Sequence, residues 1–412
     1  MDFKVYIIGA GPAGLFAAIS SARAGAKTVI IEKNTTVGKK LLLTGGGRCN
    51  LTHTGAIEDF VRAYGRAGRF LQHCLYEFSP EKTKKFFADL GLRTQVQPDG
   101  CVFPVSQRAG EVRDVLVREC ERVNVNILYG RRVEKIEKKS SQFIVRCSGE
   151  SICAHAVIIA TGGLSRPGTG SRGDGYRFAR DLGHTVIQPR PALVPLVTKE
   201  KWVEGLAGMA VDCVRIRAKA DKKKVDTAGA MIFTQDGIGG PAAQDLSRFL
   251  TDYLPAEKDP IAILVDLLPG KPEQDLERRL FEEFARHPRK TVTIVLSGFL
   301  PRRLAEVLNR EFGFNGDIIG GQLKRNDRTR LLKVLKGFPL SVVGTRPIEE
   351  ATVTRGGVST NEINPKTMQS KICPGLFFAG EVIDVDGPCG GYNLQICWST
   401  AVLAGCSSTE YG

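Results

Sequence analysis

The sequence predicts an α/β fold in which a Rossmann-like dinucleotide-binding domain is interrupted by a second domain. At the start of the chain, a β-branched and aromatic run, Val5–Ile8, precedes a glycine-rich turn and an Ala-rich helical stretch, Leu15–Ala24. After about Pro189, short strand-like segments and amphipathic helices replace this pattern. Buried-strand patterns return after Thr352 and reach an acid at the end of Gly375–Glu381. Such alternation is typical of a parallel sheet, and the interruption is typical of an inserted domain.

The N-terminal turn, Gly9-Ala-Gly-Pro-Ala-Gly14, has the spacing of a nucleotide-binding loop. In such loops the first glycine allows the tight turn, the second lets a pyrophosphate approach, and the third lets helix and strand pack closely. The next strand, Lys27–Glu32, ends in an acid that can accept the ribose hydroxyls. Its charge disfavours a 2′-phosphate, so the nucleotide is expected to be FAD or NAD. The cofactor-binding residues expected here are Gly9, Ala10, Gly11, Pro12, Ala13, Gly14, Glu32 and Lys33.

Three later segments are also expected to lie near the nucleotide. Leu41–Asn50 contains a triple-glycine turn that suits a backbone wrapped against a ligand. Ala156–Gly163 is a predicted buried strand that ends in a small-residue turn. After the turn Asp384–Gln395 a final helix begins, and its positive N-terminal end can point at a cofactor. Here the expected ligand residues are Gly46, Gly47, Arg48, Cys49, Asn50, Ala160, Thr161, Gly162, Gly380, Gly391 and Tyr392. The family that these segments resemble, named below, implies four more, Lys40, Glu381, Asn393 and Leu394.

Gly168–Gly173 also matches the glycine pattern formally, but it lies several residues past its strand. No second strand ending in an acid follows at the right distance, so this segment is predicted to be a loop. Arg166 and Arg172 in it remain candidates for contact with an anionic substrate.

Helices are predicted from Ile57 to Leu75, from Pro80 to Leu90 and from Val112 to Val123. A meander is predicted over Asn126–Tyr129, Arg132–Lys138 and Gln142–Cys147. In the insert, the expected strands are Pro191–Val197, Val211–Ala218, Ala230–Phe233 and Ile261–Leu267, and the expected helices are Gln274–Arg286, Pro301–Phe312 and Arg328–Leu335.

The composition is that of a globular protein, with 42% hydrophobic and 25% charged residues in 412. No apolar run approaches the roughly 20 residues that span a bilayer, and a strand beginning at Lys4 leaves no room for a leader. We therefore expect a cytoplasmic protein without membrane association. The 11 cysteines occur singly and the five histidines do not cluster with them, so neither a disulfide framework nor a metal site is predicted.

The net charge of +14 is high for a metabolic enzyme. One interpretation is that the protein binds a polyanionic partner, with nucleic acid as the first candidate. The other is that the charge reflects a basic proteome or a preference for solubility. Lys222–Lys224 and the cluster Lys324, Arg325, Arg328 and Arg330 lie in the insert, where each taken alone is explained by a solvated face.

Together these motifs resemble the BaiN/RdsA-type NAD(P)/FAD-dependent oxidoreductases (YhiN-like flavoproteins) of the two-dinucleotide-fold group. The resemblance covers essentially the whole chain. It rests on Thr44–Thr52, the loop around Gly170–Tyr176, Gly356–Thr360, Ala379–Glu381 and the segment from Asp384 to Gln395.

The resemblance implies an FAD-binding domain built from residues 1–189 and 351–412. It also implies an inserted β-barrel-like domain, residues 190–271 and 337–350, with a helical subdomain at 272–336. FAD would be bound tightly, with Val133 meeting adenine through its backbone and Glu381 reaching the ribityl hydroxyls. NAD(P)H would visit transiently as the reductant.

The activities associated with the family reduce a carbon–carbon double bond conjugated to a carbonyl. Flavin N5 delivers hydride to the β-carbon and an acid protonates the α-carbon. Cys49 and Tyr392 are the candidate acids, although Cys49 also suits a packing role in its turn. The basic charge favours uracil C5=C6 in ribosomal RNA as the substrate, giving dihydrouridine. The alternatives are a small-molecule enone of the steroid or bile-acid kind, and a flavin-bearing RNA-binding or assembly protein without turnover.

The sequence departs from the family pattern at three positions. Gln235 stands where His is frequent, Gly239 where Ser is frequent, and Cys389 where Thr is common. If that His handles protons in the family, this protein has lost it or moved the task elsewhere.

Overall fold

The structure, a computed structural model, describes residues 4–254, 259–313 and 318–411. These residues separate into two compact units. Unit 1 comprises the chain up to Ala192 and from Ile348 onward, and unit 2 comprises Leu193–Pro347. The finer division into a barrel and a helical subdomain with the boundaries given above stays a prediction.

Unit 1 contains the predicted parallel sheet. Its first part carries the strands β1 (Lys4–Ile8), β2 (Lys27–Ile31), β3 (Thr52–His53), β4 (Thr94–Val96), β5 (Cys101–Pro104), β6 (Asn126–Leu128), β7 (Val133–Lys139), β8 (Gln142–Cys147), β9 (Glu150–Ala154), β10 (Ala156–Ile159) and β11 (Val186–Ala192). The helices of this part are α1 (Pro12–Arg23), α2 (Ile57–Ala63), α3 (Gly68–Glu77), α4 (Pro80–Asp89), α5 (Ala109–Arg122) and α6 (Asp174–Asp181).

Unit 2 follows with the strands β12 (Leu196–Thr198), β13 (Ala210–Ala220), β14 (Lys223–Phe233), β15 (Gly237–Gly239), β16 (Ile261–Asp266) and β17 (Phe338–Thr345). Its helices are α7 (Gly240–Leu250), α8 (Glu273–Arg286), α9 (Val292–Leu296), α10 (Arg302–Glu311) and α11 (Arg325–Lys336). The chain then completes unit 1 with β18 (Val353–Val358), β19 (Leu376–Phe378) and α12 (Tyr392–Thr409).

The central sheet of unit 1 has the order β19-β10-β1-β2-β6, and all its neighbours are parallel. Its strands are buried because α1 and α12 pack together on the sheet and β8 and β9 of the meander contact β10 and β1, and this explains their continuous apolar sequences. Every strand therefore ends at the same edge, where the turns that follow β1, β2, β10 and β19 gather. The predicted Rossmann-like α/β fold is confirmed.

Two local predictions for unit 1 were wrong. Asn126–Tyr129 does not join the meander, because β6 pairs with β2 at the edge of the parallel sheet (Ile30 opposite Ile127), and the meander is β7-β8-β9. The single helix predicted from Ile57 to Leu75 is broken into α2, a 3₁₀ turn and α3 at Gly65, whose φ is +57°. An apolar periodicity continues across such a break and hides it.

Unit 2 is built on a closed six-stranded barrel with the order β12-β15-β14-β13-β16-β17. In its long hairpin β13–β14, strand β13 alternates from Val214 to Ala220, with Val214, Ile216 and Ala218 inside and Arg215, Arg217 and Lys219 outside. The barrel interior and the helices share one hydrophobic core, which includes Phe233 and Phe338. The β-barrel-like insert is thus present, although α7, α9, β15 and β17 were not predicted from sequence. Only part of the predicted strand Pro191–Val197 belongs to the barrel, as β12, because Pro191 and Ala192 end β11, which pairs with β18 in unit 1.

Within the residues that the structure describes, no helix combines the length and apolar character needed to cross a membrane.

Candidate functional site

A cleft opens in unit 1 where the parallel strands end. The turns after β1, β2, β10 and β19 all contribute to its wall, as expected for a ligand site in an open α/β sheet. The sequence-predicted residues that line it are Gly9, Ala10, Gly11, Pro12, Ala13, Glu32, Lys33, Lys40, Val133, Ala160, Thr161, Gly162 and Glu381.

The three glycines of the first turn differ in their surroundings. Gly9 has a φ of +101°, and a Cβ there would lie 2.8 Å from the Ala160 carbonyl oxygen. A Cβ on Gly14 would overlap the Gly9 carbonyl oxygen, so Gly14 lies beneath the cleft and holds α1 against β1. At Gly11 no described atom lies within 4 Å of such a Cβ, so this side of the turn is open to a ligand. Gly9 and Gly14 are therefore required by packing, whereas Gly11 leaves space for a ligand.

Helix α1 directs its N-terminus at the cleft. Gly11 is its extended N-cap and Pro12 its first residue, where the missing N–H is of no consequence. The N–H groups of the first turn have no acceptor within the helix. Together with the helix dipole they favour an anion such as a pyrophosphate.

Glu32 is 7% exposed and accepts three hydrogen bonds. Its Oε2 accepts from the Ala10 N–H at 2.7 Å, and its Oε1 accepts from the Asn34 N–H at 2.8 Å and from Asn34 Nδ2 at 2.7 Å. Glu32 therefore fixes the glycine turn to the segment after β2. An ionised carboxylate has about four acceptor sites, so capacity remains for a ligand hydroxyl.

Cations surround the mouth of the cleft. Lys33 and Arg132 both pair with Asp174, at 3.2 Å in the case of Arg132. Burial alone would raise the pKa of Asp174, but the hydrogen bonds and charges of these two partners outweigh it and lower the pKa. Lys39 and Arg131 complete the basic lining, which suits a diphosphate.

On the other side of the cleft, Lys40 and Glu381 form an ion pair with Nζ and Oε2 2.5 Å apart. Lys40 also donates to Ser165 Oγ at 2.6 Å, and Glu381 Oε1 accepts from Ser165 Oγ and from the Thr354 N–H, each at 2.8 Å. Burial raises the pKa of Glu381, but the Lys40 charge and these hydrogen bonds prevail and lower it. A Cβ on Gly163 would overlap Thr354 Oγ1, so a glycine is required beside this network.

The remaining predicted residues do not line this cleft. Gly380 has a φ of +74° and donates its N–H to Thr400 Oγ1 at 3.0 Å behind it. The triple-glycine turn is exposed at Gly46, Gly47 and Arg48, and the Arg48 guanidinium lies 4.5 Å from the centre of the Phe103 ring.

Asn50 and the start of α12 meet next to this turn. Asn50 Oδ1 accepts from the Val102 N–H at 3.2 Å, and a Cβ on Gly391 would lie 2.8 Å from the same oxygen. Asn393 does not present its amide to a ligand. Its Oδ1 accepts from the Gly387 N–H at 2.8 Å, and its Nδ2 donates to the carbonyls of Gly387 and Pro388. Leu394 is buried in the core, so both side chains shape the turn before the helix.

Two arginines fix the beginning of that turn. Arg66 pairs with Asp384 at 2.6 Å, and Arg355 binds both carboxylate oxygens of Asp386 at 2.9 and 3.2 Å. Burial raises the pKa of Asp384, and the negative charge of Asp386 raises it further. The charges of Arg66 and Arg355 lower this pKa, but burial prevails and the pKa stays above its usual value. The turn is therefore held to α2–α3 and to β18 before α12 begins.

Cys49, one of the two candidate acids, is fully buried in the hydrophobic core with a φ of +64°. Burial raises the pKa of its thiol to about 12. This placement favours the packing role that the sequence left open.

Tyr392, the other candidate, is partly exposed and belongs to an aromatic cluster. Its ring stacks on His53 at 5.1 Å and packs against Phe60 at 4.8 Å, and Tyr64 donates its hydroxyl to the Tyr392 carbonyl at 2.9 Å. The His53 ring nitrogens face the carbonyl oxygens of Thr54 and Asp99, at 2.5 and 2.8 Å. The ring of Tyr392 is thus held in a defined orientation against His53 of β3 and Phe60 of α2.

Several residues of the site were missed from sequence. Three of them hold the residues of the cleft in place, and folding brings them there: Asn34 binds Glu32, Asp174 pairs with Lys33, and the Thr354 N–H donates to Glu381. The formal glycine motif Gly168–Gly173 is a loop, as predicted, but its members Thr169 to Ser171 line the same cleft. The Asn34 amide donates to the Thr169 carbonyl at 3.1 Å and holds this loop in place.

The departures Gln235 and Gly239 lie in unit 2. Gln235 is exposed in the turn between β14 and β15, where Thr234 Oγ1 donates to Asp236 and Arg346 pairs with Asp236 at 2.9 Å. Gly239 is buried at the start of α7.

The family model described as "HI0933-like protein Rossmann domain" matches residues 3–407. The 3-dehydro-bile acid delta(4,6)-reductase of Clostridium scindens is 34% identical over 99% of both chains. A ribosomal RNA dihydrouridine synthase of Escherichia coli is 34% identical over 97% of this chain and 96% of its own. The enzyme of the same name from Haemophilus influenzae is 31% identical over 96% of both.

Solved structures show the same fold at much lower identity. A 3-ketosteroid-delta4-(5alpha)-dehydrogenase from Rhodococcus jostii superposes with a TM-score of 0.51 at 17% identity, covering 99% of this chain and 97% of its own. A 3-ketosteroid delta1-dehydrogenase from Sterolibacterium denitrificans gives 0.54 at 12% identity, covering 98% and 99%.

The family and the oxidoreductase class predicted from the sequence are confirmed by these matches: the chain belongs to the HI0933-like family, with its Rossmann domain matched over nearly the whole length.

Proposed function

We propose that this protein binds FAD in the unit 1 cleft and reduces a carbon–carbon double bond conjugated to a carbonyl, with uracil in ribosomal RNA as the leading substrate. The observation that carries the cofactor assignment is the glycine turn, which is open at Gly11 and fixed by Glu32 through the Ala10 N–H. Glu32 at the ribose position disfavours the 2′-phosphate of NADP by charge. FAD requires binding groups beyond its nucleotide half, and the cleft continues to Lys40 and Glu381.

Different residues of the cleft would bind different parts of FAD. The first turn of α1 and the basic lining would hold the pyrophosphate, and the backbone of Val133 the adenine. The Lys40–Glu381 pair would hold the ribityl chain, because an ionised Glu381 accepts hydrogen bonds from hydroxyls. The triple-glycine turn and the start of α12 would lie on the flavin side, where the positive end of the helix favours negative charge.

When bound, FAD supplies hydride transfer from NAD(P)H to the β-carbon of the substrate. The protein must then deliver one proton to the α-carbon to complete the reduction. Tyr392 is the residue that we propose for this step, because its phenol is a proton donor at neutral pH and its ring is fixed by His53 and Phe60. In a Tyr392→Phe variant, we expect reduction of the flavin by NAD(P)H to be retained and its reoxidation by substrate to slow by about 10²-fold or more. Unchanged reoxidation would remove Tyr392 from the mechanism.

Ribosomal RNA is the leading substrate because two of the three relatives described above are named for that reaction and the chain carries a net charge of +14. A uridine in folded RNA must be unstacked to reach a flavin, at a cost of a few kcal/mol. The reaction would take place in the cytoplasm, where this RNA is found.

The test is mass spectrometry of ribosomal RNA from cells with and without the gene, followed by treatment of the deficient RNA with purified protein and NAD(P)H. We expect one dihydrouridine to be lost in the deficient cells and restored in vitro. If the RNA is the same in both strains, the RNA assignment is wrong.

The second candidate is a small-molecule enone reductase, which the bile acid reductase favours through its 34% identity over 99% of both chains. It predicts that a steroid enone reoxidises the reduced flavin with saturation, whereas uridine-containing RNA does not. If NAD(P)H fails to bleach the flavin at all, both enzymatic assignments fail and a flavin-bearing binding protein is favoured.

A further inference from the structure

We propose that the tip of the β13–β14 hairpin in unit 2 is a phosphate-binding surface for structured RNA. This inference rests on the proposed RNA substrate and adds to it the surface that binds the RNA backbone. We call this surface the hairpin lysines and define it as Lys219, Lys222, Lys223 and Lys224.

The hairpin places these side chains in solvent by its register. Along β13 the inward residues Ile216, Ala218 and Ala220 are buried, so Lys219 must point outward. The strands are joined by the two-residue turn Asp221–Lys222, because Ala220 pairs with Lys223. Asp221 has a φ of +52°, which suits the tight turns that keep two strands in register. The position of the lysines is therefore set by the barrel.

A solvated face does not explain their arrangement. Lys219 lies directly opposite Lys224 in the antiparallel ladder, and like charges at such a pair destabilise a hairpin. In the described part of unit 2, no ion pair links any hairpin lysine to a carboxylate, whereas Arg215 on the same strand pairs with Asp226 at 3.6 Å. Solvent-exposed strands usually intersperse both signs of charge. Four unpaired lysines at one tip indicate a polyanionic partner.

The basic surface continues from the hairpin along the barrel. Arg217 points to the same side as Lys219 and donates to the carbonyl of Lys336 at 3.0 Å, at the end of α11. Lys333 is exposed one turn before Lys336 on that helix. Hairpin and helix thus present cations next to each other within unit 2, which suits a partner that carries a series of phosphates rather than one.

The experiment uses a triple variant, Lys219→Gln, Lys223→Gln and Lys224→Gln, in the full-length protein loaded with FAD. Binding to a ribosomal RNA fragment is measured by fluorescence anisotropy between 0.1 and 0.5 M salt. Each lost phosphate contact lowers the slope of log K against log salt by about 0.7 to 1. We expect the slope to fall by about 2 and the affinity at 0.1 M salt to fall by about 100-fold.

A second triple variant controls for net charge. Lys27, Lys139 and Lys366 are exposed on unit 1, and their replacement by Gln removes the same three charges elsewhere. We expect its RNA affinity to stay within about threefold of wild type. If both variants lose RNA affinity equally, RNA is attracted by the overall charge of the protein and not by a particular surface. That result would overturn the proposal.

Two further readouts separate this proposal from the proposed function. Reduction of the flavin by NAD(P)H should be the same in wild type and in both variants. If wild type binds and modifies the RNA but the hairpin variant keeps its slope and affinity, only the hairpin proposal is wrong. If wild type itself binds the ribosomal fragment no more tightly than an unrelated RNA and leaves it unmodified, the RNA function is wrong and the hairpin proposal falls with it. Weaker binding to anionic lipid vesicles, with RNA binding unchanged, would likewise refute it.

Discussion

Replacing Lys40 by Met should destabilise unit 1 through the carboxylate that it leaves behind. In the structure Lys40 Nζ lies 2.5 Å from Glu381 Oε2, and the two side chains are 19% and 15% exposed. Without Lys40, Glu381 keeps only the Ser165 hydroxyl and the Thr354 N–H as partners. Methionine has a similar length and no charge, so the variant removes the ion pair while preserving most of the packing.

The expected loss follows from how deeply the pair is buried. Breaking a buried ion pair costs about 3–5 kcal/mol, whereas an exposed pair contributes about 0–1 kcal/mol. Because roughly a sixth of each side chain reaches solvent and two hydrogen bonds remain, we expect a loss of about 3 kcal/mol at pH 7. Adding Glu381→Gln should recover part of it, since the uncompensated charge is then gone, and the double-mutant cycle should show coupling of about 2 kcal/mol.

The loss should depend on pH in a defined direction. The folded-state pKa of Glu381 is lowered, so its contribution to stability is fully present above its unfolded pKa of about 4.3 and is lost as the pH falls through the lower, folded value. In the Lys40→Met variant burial prevails and the pKa of Glu381 rises, so the variant loses stability as the pH rises through that value. The difference between the two proteins should therefore narrow from pH 7 to pH 4.

The measurement is urea unfolding of the cofactor-free protein, since bound cofactor adds its own stabilisation. Of the two tryptophans, Trp398 is buried in unit 1 and Trp202 lies in unit 2. In a Trp202→Phe background, the fluorescence therefore reports unit 1. Lys85→Met is the matched control, because Lys85 forms an exposed pair with Asp89 at 3.1 Å. A loss no larger than in this control, or one that is constant from pH 7 to pH 4, would refute the reasoning.

Three further substitutions test the cleft and its support. Gly14→Ala places a methyl group on the Gly9 carbonyl oxygen, so we expect a loss of about 2–3 kcal/mol and weaker FAD binding by equilibrium dialysis. Glu32→Gln turns an amide NH₂ toward either the Ala10 or the Asn34 N–H, so the free energy of unfolding in urea should fall by about 1–3 kcal/mol even without cofactor. If the cofactor-free variant is as stable as wild type, Glu32 serves ligand contact alone. Gln395→Leu leaves the buried partners of a fully buried amide unsatisfied, and a loss of about 3 kcal/mol is expected from the Trp398 signal.

The parts of the fold and site that sequence predicts well are those set by neighbouring residues. The strand, the glycine turn, α1 and Glu32 lie within one short stretch, and the positive φ of Gly9 and the contact of Gly14 with the Gly9 carbonyl oxygen arise within it. The division into a Rossmann-like part and a barrel insert also follows from local patterns, since strand alternation differs between buried parallel and half-exposed antiparallel strands.

Contacts between distant segments could not be predicted in the same way. Lys40 and Glu381 are 341 positions apart, and the residues around each of them do not indicate that the two side chains pair. The same holds for β6, whose short apolar run fits a meander and a sheet edge equally well. The 3₁₀ break at Gly65 was missed because helical periodicity persists on both sides of it.

The helix α12 shows that a motif predicted to bind a cofactor can have side chains that serve the fold. Gln395 accepts from Thr52 Oγ1 at 2.7 Å and from Thr83 Oγ1 at 2.9 Å, which ties the helix to β3 and α4. The Asn393 amide binds the carbonyls of Gly387 and Pro388. In our proposal, the start of α12 would therefore bind the cofactor through its main chain, by the first-turn N–H groups that have no acceptor in the helix. Substitutions at Asn393 or Gln395 should accordingly affect cofactor binding by moving this backbone.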